Sequence, residues 1–332
     1  MMGRAIALLG SLITSACCTS LPKQAVKGVA FPAADAMGQM RPVGPLGSGG
    51  ADASLRSDES HLSASTVTEE SYVWRDEKRS RDVPVKLYVP TASDRHPVVV
   101  FSHGIGENRD SYAYLGQALA RAGFLAVHVT HAGTDKAVLA HGYRALYRQV
   151  KQPKNWIARP LDVSFVLDQL ARRKDADMDR VAVAGHSAGA FTAFALAGMR
   201  TVNGGNFRDE RVKVVVPMSM PRLDHIVPEG GYATITTPVL NVTGTCDTSI
   251  IYRTFPRHRR IPFERSRGQF LVTIERVNHD SFVLDDPRHE LIADLVIAFL
   301  RGYLLGDPGA RAWFEEPGNA ELVGVNLAVE RR

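Results

Sequence analysis

The stretch that most constrains the fold is residues 181–191, with the sequence VAVAGHSAGAF. A run of β-branched and small apolar residues ends at a glycine, and a Gly-x-Ser-x-Gly pentapeptide then leads into a small-residue helical pattern. This order predicts a strand, a sharp turn and a helix, with Ser187 at the turn. The backbone approaches itself closely on both sides of such a turn, so Gly185 and Gly189 stand where glycine is needed. The stretch therefore predicts a serine in a strained conformation at the carboxyl end of a strand.

Apolar runs of strand length alternate with helical patterns along most of the chain. Strands are predicted over 97–102, 124–129, 211–218, 238–244 and 270–274, after an antiparallel edge hairpin over 66–74 and 83–89 that includes Pro84. Helices are predicted over 110–122, over 160–173 with Pro160 in the first turn, and over 288–305, whereas 130–159 is predicted to be a long loop with one helix within 138–150. This alternation predicts an α/β fold whose mostly parallel sheet is covered by helices on both faces.

A serine hydroxyl becomes a useful nucleophile only beside a base, and the base needs an acid to hold its tautomer. Asp247 directly follows a predicted strand, where open α/β sheets build their sites. His279 lies in the loop between the next strand and the terminal helix. The order Ser187, Asp247, His279 predicts a catalytic triad, with Asp224 and Asp285 as weaker alternatives for the acid.

Two backbone N–H groups are predicted to form an oxyanion hole. One belongs to Ala188, directly after the serine, and the other to Ile105, in a glycine-containing loop after an early strand. We expect His103 to fix that loop by hydrogen bonding, His186 to point away from the cleft, and His131 to line the cleft. The histidine and cysteine spacings match no metal pattern, so no metal or cofactor is predicted.

Composition points to a soluble globular chain, with 45% apolar residues, 23% charged residues and a net charge of +5. Nucleic-acid binding is not predicted, because no basic face interleaved with aromatic residues is present. The densest basic run, residues 253–267, contains two prolines and two phenylalanines and is predicted to be a solvated loop or rim. Cys246 is expected to be a lone thiol.

The first residues have the layout of an export signal. Arg4 precedes an apolar run, and small residues lead to Cys17. The pattern leaves open lipid anchoring through Cys17 and plain secretion, so the protein is predicted to be periplasmic, a membrane-anchored lipoprotein, or secreted. The predicted organisation is a signal peptide over 1–18, a flexible linker rich in Gly, Pro, Ala and Ser over 19–65, and one folded α/β domain over 66–332.

Several motifs occur together in a characteristic order. They are FSHGIG at 101–106, PLDVSFVLD at 160–168, GHSAG at 185–189, GTCD at 244–247, NH at 278–279 and FLRGYLLGD at 299–307. This set resembles the predicted dienelactone-hydrolase group of α/β hydrolases and is similar to plasma-type platelet-activating-factor acetylhydrolases. The resemblance covers about residues 70–315. It implies an α/β-hydrolase fold with an eight-stranded, mostly parallel sheet, and ester hydrolysis through an acyl-serine intermediate.

The resulting expectation is an exported serine carboxylic-ester hydrolase that acts on a small-molecule or lipid ester, with a short-acyl or lipid substrate and a role in lipid degradation. Two alternatives remain open, a serine peptidase or amidase on the same fold and a non-catalytic binding protein. The segments 130–159 and 221–237 are expected to select the substrate. The sequence indicates no oligomeric state.

Overall fold

The computed structural model describes residues 67–91, 95–316, 318–322 and 325–332. The predicted signal peptide and the predicted linker lie outside these residues.

Ten strands form one sheet in the order β1-β2-β4-β3-β5-β6-β7-β8-β10-β9. Their bounds are β1 Thr68–Asp76, β2 Arg81–Val89, β3 His96–Ser102, β4 Leu125–Val129, β5 Ala176–His186, β6 Val212–Met218, β7 Val239–Cys246, β8 Gln269–Asn278, β9 Gly318–Leu322 and β10 Val325–Arg331.

The helices alternate with the central strands, as the sequence predicts. Their bounds are α1 Ala113–Arg121, α2 Lys136–Leu139, α3 Tyr143–Val150, α4 Pro153–Leu170, α5 Ala188–Leu196, α6 Pro256–Arg259, α7 Ile261–Glu264, α8 His289–Leu304 and α9 Pro308–Glu315. Within the described ranges, no helix combines the length and the apolar character that crossing a bilayer would need.

The six central strands, from β4 across to β8, pair in parallel, and antiparallel pairs extend the sheet at both edges. The predicted α/β-hydrolase fold with a mostly parallel sheet is confirmed. The predicted count of eight strands is wrong, because the last residues of the chain add the hairpin of β9 and β10 beside β8.

Two residues in strands differ from their predictions. Pro84 is not on an edge strand, because β2 lies between β1 and β4. Its carbonyl oxygen, which proline retains, accepts a hydrogen bond from Thr130 N at 2.8 Å. Cys246 is disulfide-bonded, so the expectation of a lone thiol is wrong.

Helices cover both faces of the sheet, which creates two separate apolar cores. Alternate residues of β3 supply one core each, because successive side chains of a strand point to opposite faces. Val98 and Val100 pack with α4 and α5, and Val99 and Phe101 pack with α1, α8 and α9. Each core therefore packs against one face of the central strands. The carboxyl ends of these strands lie at the edge of the sheet, where they continue into loops.

The segment 130–159 is more helical than predicted. It contains α2, α3 and the first turns of α4, and the start predicted for that helix at Pro160 is wrong. Pro160 lies inside α4, where it cannot donate to the carbonyl of Trp156. The earlier turns persist because they are anchored in the core: Trp156 is only 4% exposed, and its Nε1 donates to Val150 O at 2.7 Å.

Candidate active site

The site lies at the carboxyl ends of four neighbouring strands, β5 to β8. His186 at the end of β5 pairs with Met218 at the end of β6, and Cys246 at the end of β7 pairs with Asn278 at the end of β8. In each pair the next residues along the chain therefore emerge side by side, Ser187 beside Ser219 and Asp247 beside His279. The sheet register alone brings these four side chains to one edge.

Ser187 occupies the strained turn that the pentapeptide predicts. Its backbone has φ 55° and ψ −115°, a positive-φ conformation outside the regions that a serine ordinarily adopts. A Cβ on Gly189 would overlap the carbonyl oxygen of Ser102, and a Cβ on Gly185 would overlap the carbonyl oxygen of Gly189. Because both obstacles are backbone atoms, no side-chain movement could make room. The two glycines are therefore a steric requirement of the turn.

Ser187, His279 and Asp247 form a continuous hydrogen-bonded line. His279 Nε2 lies 3.1 Å from Ser187 Oγ, and His279 Nδ1 lies 3.0 Å from Asp247 Oδ1. The carboxyl group of Asp247 is fully buried, whereas Asp224 and Asp285, the weaker alternatives, are exposed. This geometry allows the imidazole to take a proton from the hydroxyl while the carboxylate faces its other nitrogen.

Three further side chains surround the Asp247 carboxylate. Ser219 Oγ and Thr243 Oγ1 each donate to it at 2.8 Å, and Arg259 Nη2 lies 2.9 Å from Oδ1. Burial by itself would raise the pKa of Asp247, but the Arg259 charge and the contact with His279 outweigh it and lower the pKa. Asp247 is thus a fixed anion at neutral pH.

Arg259 is a site residue that the sequence interpretation missed. It belongs to the basic run predicted to be solvated, yet it is only 2% exposed. Its Nη1 donates to the carbonyl oxygens of Ser219 and Met220, both at 2.8 Å, and its Nη2 lies 3.0 Å from His279 Nδ1. The prediction of a wholly solvated run is therefore wrong at this position. No local signal marks this arginine among its basic neighbours, because its burial depends on where α6 packs against β7.

Ser219 was also missed, although a usable signal exists. It follows the buried strand β6 directly, the same placement that singled out Asp247. Like Ser187 it has a positive φ, 56°, and its Oγ lies 2.6 Å from His279 Nδ1. Ser219 therefore bridges the acid and the imidazole.

The predicted oxyanion loop lies against the serine. A Cβ on Gly104 would lie 3.5 Å from the Cβ of Ser187. Gly106 N donates to Thr134 O at 2.8 Å, whereas the N–H groups of Ile105 and Ala188 have no acceptor among the described residues. Two backbone donors are thus left for a ligand beside Ser187.

A buried polar network supports this loop from below. Arg159 Nη1 donates to His103 O at 2.8 Å, and His131 N donates to His103 Nε2 at 3.0 Å. His103 Nδ1 lies 2.6 Å from Gly104 O, so this histidine does fix the loop as expected. His131 does not line the cleft, because it is fully buried against Asp162.

The same network contains a second Ser-His-Asp arrangement. His131 Nε2 lies 2.9 Å from Ser102 Oγ, and His131 Nδ1 lies 3.0 Å from Asp162 Oδ2. All three residues are fully buried, and burial together with the Arg159 charge lowers the pKa of His131 to about 4. These side chains have the chemistry of a triad, but a substrate cannot reach them. The set instead supports the oxyanion loop, because His131 N donates to His103 Nε2.

His186 is only 3% exposed, and its ring packs 4.6 Å from the ring of His279. Its Nδ1 lies 2.8 Å from Tyr112 Oη, and burial lowers its pKa well below the usual value. The neutral ring therefore forms a wall beside His279. Among the described residues, no cluster of three or more His, Cys, Asp or Glu side chains is placed to hold a metal ion.

An apolar pocket of about 280 Å³ opens beside the oxyanion loop. Its lining comes from Ile105, from the loop after β7 and from one face of α3. The lining residues are Ile105, Tyr143, Arg144, Leu146, Tyr147, Val150 and Ile251. Most of this wall belongs to segment 130–159, one of the two segments expected to select the substrate.

The model of the Chlorophyllase family matches residues 60–206. That range includes Ile105 and Ser187 and ends before Asp247 and His279. A comparison with curated proteins finds no match. The family match therefore bears on the first half of the site, and the branch suggested by the sequence motifs stays a prediction.

Proposed function

We propose that this α/β hydrolase, whose match to the Chlorophyllase family indicates a hydrolase that acts on esters, is a serine-dependent carboxylic-ester hydrolase. The observation that carries the proposal is the line from Ser187 Oγ through His279 to the buried anion of Asp247, at 3.1 and 3.0 Å. The substrate is a short-acyl or lipid ester.

The reaction proceeds in two halves. Ser187 Oγ attacks the ester carbonyl as His279 Nε2 takes the hydroxyl proton, and the N–H groups of Ile105 and Ala188 stabilise the oxyanion. The intermediate collapses to an acyl-serine, and His279 returns the proton to the departing alcohol. Water, deprotonated by His279, then attacks the acyl carbon. The bond from that carbon to Ser187 Oγ breaks, His279 gives the proton to Oγ, and the acid is released. Asp247 holds the imidazole in the required tautomer throughout.

Export of the enzyme is part of the proposal. The N-terminal pattern with Arg4, an apolar run and small residues before Cys17 supports it. The protein is then periplasmic, secreted, or anchored to a membrane by a lipid on Cys17. The intact mass of the protein from membrane and soluble fractions tests these alternatives, because a lipid adds several hundred daltons to Cys17.

The catalytic assignment is tested with Ser187→Ala on p-nitrophenyl acetate and butyrate. Loss of a triad nucleophile typically lowers kcat by about 10⁶, so turnover should disappear. Ser102→Ala is the matched control, because Ser102 also contacts a histidine paired with an aspartate, but the side chain of that histidine is only 1% exposed. A fluorophosphonate probe should label the control and not Ser187→Ala. Turnover by Ser187→Ala comparable to that of the wild type would exclude Ser187 as the nucleophile, and amide substrates in the same assay would detect a peptidase.

A further inference from the structure

The size of the pocket beside Ile105 indicates the size of the substrate. We infer that the ester has an apolar arm of about ten non-hydrogen atoms that lies in this pocket, an inference that rests on the proposed ester hydrolysis. The arm would be longer than an acetyl or butyryl group. It would lie between α3, the loop after β7 and the oxyanion loop.

The position of the pocket connects it with the reacting carbonyl. Ile105 contributes its side chain to the pocket wall, and its N–H group is one of the two donors without an acceptor among the described residues. The preceding residue, Gly104, lies against Ser187. A carbonyl held at the Ile105 N–H group is therefore about one residue length, ~4 Å, from the start of the apolar wall.

The chemistry of the wall selects an apolar group. Six of the seven lining side chains are aliphatic or aromatic, and Arg144 is the exception. Tyr143, Tyr147 and Ile251 are 55%, 51% and 45% exposed, although large apolar side chains are ordinarily covered. Exposed apolar side chains that line one concavity indicate a ligand groove. Exposed apolar residues that are scattered singly over a surface are ordinary and indicate no site.

The volume of the pocket limits the length of the apolar arm. An apolar cavity of about 150 Å³ takes up benzene, which has six carbon atoms. At that density, 280 Å³ accommodates about eleven non-hydrogen atoms. A linear octanoyl to decanoyl chain, or an alcohol of the same size, fills it, whereas an acetyl group leaves most of the wall uncovered.

The helix α3 is well placed to make the pocket rigid. A Cβ on Gly106 would lie 3.4 Å from Leu146 Cδ2, so the oxyanion loop rests on the same helix that lines the pocket. Val150 at the end of the helix is 9% exposed, and its carbonyl oxygen accepts the hydrogen bond from Trp156. Changes in the pocket wall can therefore be made at positions with well-defined surroundings.

The test measures kcat/KM over two series at concentrations below aggregation, p-nitrophenyl esters from acetate to laurate and acetate esters from methyl to decyl alcohol. Each methylene group that enters the pocket should raise kcat/KM about fourfold, up to about ten non-hydrogen atoms, in one of the two series. The series that responds identifies the arm as acyl or alcohol. A maximum at acetate or butyrate in the acyl series, with no rise in the alcohol series, would overturn the inference.

Variants test whether this pocket sets the preference. Val150→Phe fills the pocket and should lower the ratio of long-chain to acetate kcat/KM at least tenfold. Tyr147→Ser, at an exposed position that leaves the core intact, should lower the same ratio severalfold. Tyr72→Ser removes a half-exposed tyrosine from β1, far along the chain, and should leave the ratio unchanged. If all three variants keep the wild-type ratio of long-chain to acetate kcat/KM, the inference is overturned. The proposed function would still hold in that case, provided that turnover of acetate depends on Ser187. No Ser187-dependent turnover of any ester would overturn both.

Discussion

Replacement of Arg259 by methionine tests how the acid of the proposed triad is held. Methionine has a similar length and no charge, so the change removes the ion pair with Asp247 and the bonds to the Ser219 and Met220 carbonyls, and largely keeps the volume. Both partners of the ion pair have fully buried side chains. Asp247 would then remain as a buried carboxylate without its principal cation.

Loss of one partner of a buried ion pair typically costs about 3–5 kcal/mol, because the other charge is left uncompensated. We expect Arg259→Met to lower the free energy of unfolding by that amount at pH 8. In the wild type the pKa of Asp247 is lowered, so its contribution is present above the unfolded pKa of about 3.9 and is lost only as the pH falls below that value. In the variant, burial is less opposed and raises the pKa of Asp247. The loss of stability should therefore shrink as the pH falls, by at most about 1.4 kcal/mol per pH unit.

Urea denaturation at pH 5, 7 and 8 measures these differences. Arg260→Met is the matched control, because the neighbouring arginine pairs with Glu330 and both side chains are 36% exposed. Exposed pairs contribute about 0–1 kcal/mol, so the control should change little and show no comparable pH trend. We also expect kcat for ester hydrolysis to fall more than KM rises, since Asp247, which orients His279, loses its ion pair. If Arg259→Met costs no more than Arg260→Met, the reasoning about a compensated buried anion is refuted.

Two further predictions concern the support of the site. The pKa of His131 is lowered to about 4 against about 6.5 in the unfolded chain, so the unfolded state binds the extra proton first and stability falls between pH 6.5 and 4, by about 3 kcal/mol from this residue. His131→Gln should flatten the dependence of unfolding free energy on pH by about one proton, and an unchanged slope would show that His131 is not held neutral. A Cβ on Gly189 would overlap a backbone oxygen, so Gly189→Ala should abolish ester hydrolysis and fluorophosphonate labelling, whereas Gly230→Ala, with open space around its Cβ position, should keep both. Wild-type labelling of Gly189→Ala would contradict the geometry of the turn.

Local chemistry explains why some features could be predicted from the sequence. The turn at Ser187 needs glycines two residues to either side, because the obstructing atoms are backbone atoms. Five consecutive residues contain the whole requirement, so the sequence alone shows it. The placement of Asp247 and His279 after neighbouring strands follows equally from order along the chain, since parallel strands end at one edge. The predicted fold class depended on the same alternation of strands and helices. The start of α4 was mispredicted because burial of Trp156 outweighs the preference of Pro160 for a first turn.

The remaining features depend on contacts between distant segments. The sequence contains two Ser-His-Asp sets, one with Ser187 and one with Ser102. What distinguishes them is the exposure of the histidine, since the side chain of His279 is 16% exposed and that of His131 only 1%. Arg259 looks like any other basic residue of its run until α6 places it against Asp247.

The sequence by itself determined the fold class, the serine turn and the order of the three triad candidates, because each depends on neighbours along the chain. Tertiary structure decided which charges are buried and how large an apolar pocket lies beside Ile105. Burial and pocket size arise where residues that are far apart in the chain pack together and exclude water. The loss of water around one side chain therefore cannot be predicted from that residue and its neighbours along the chain.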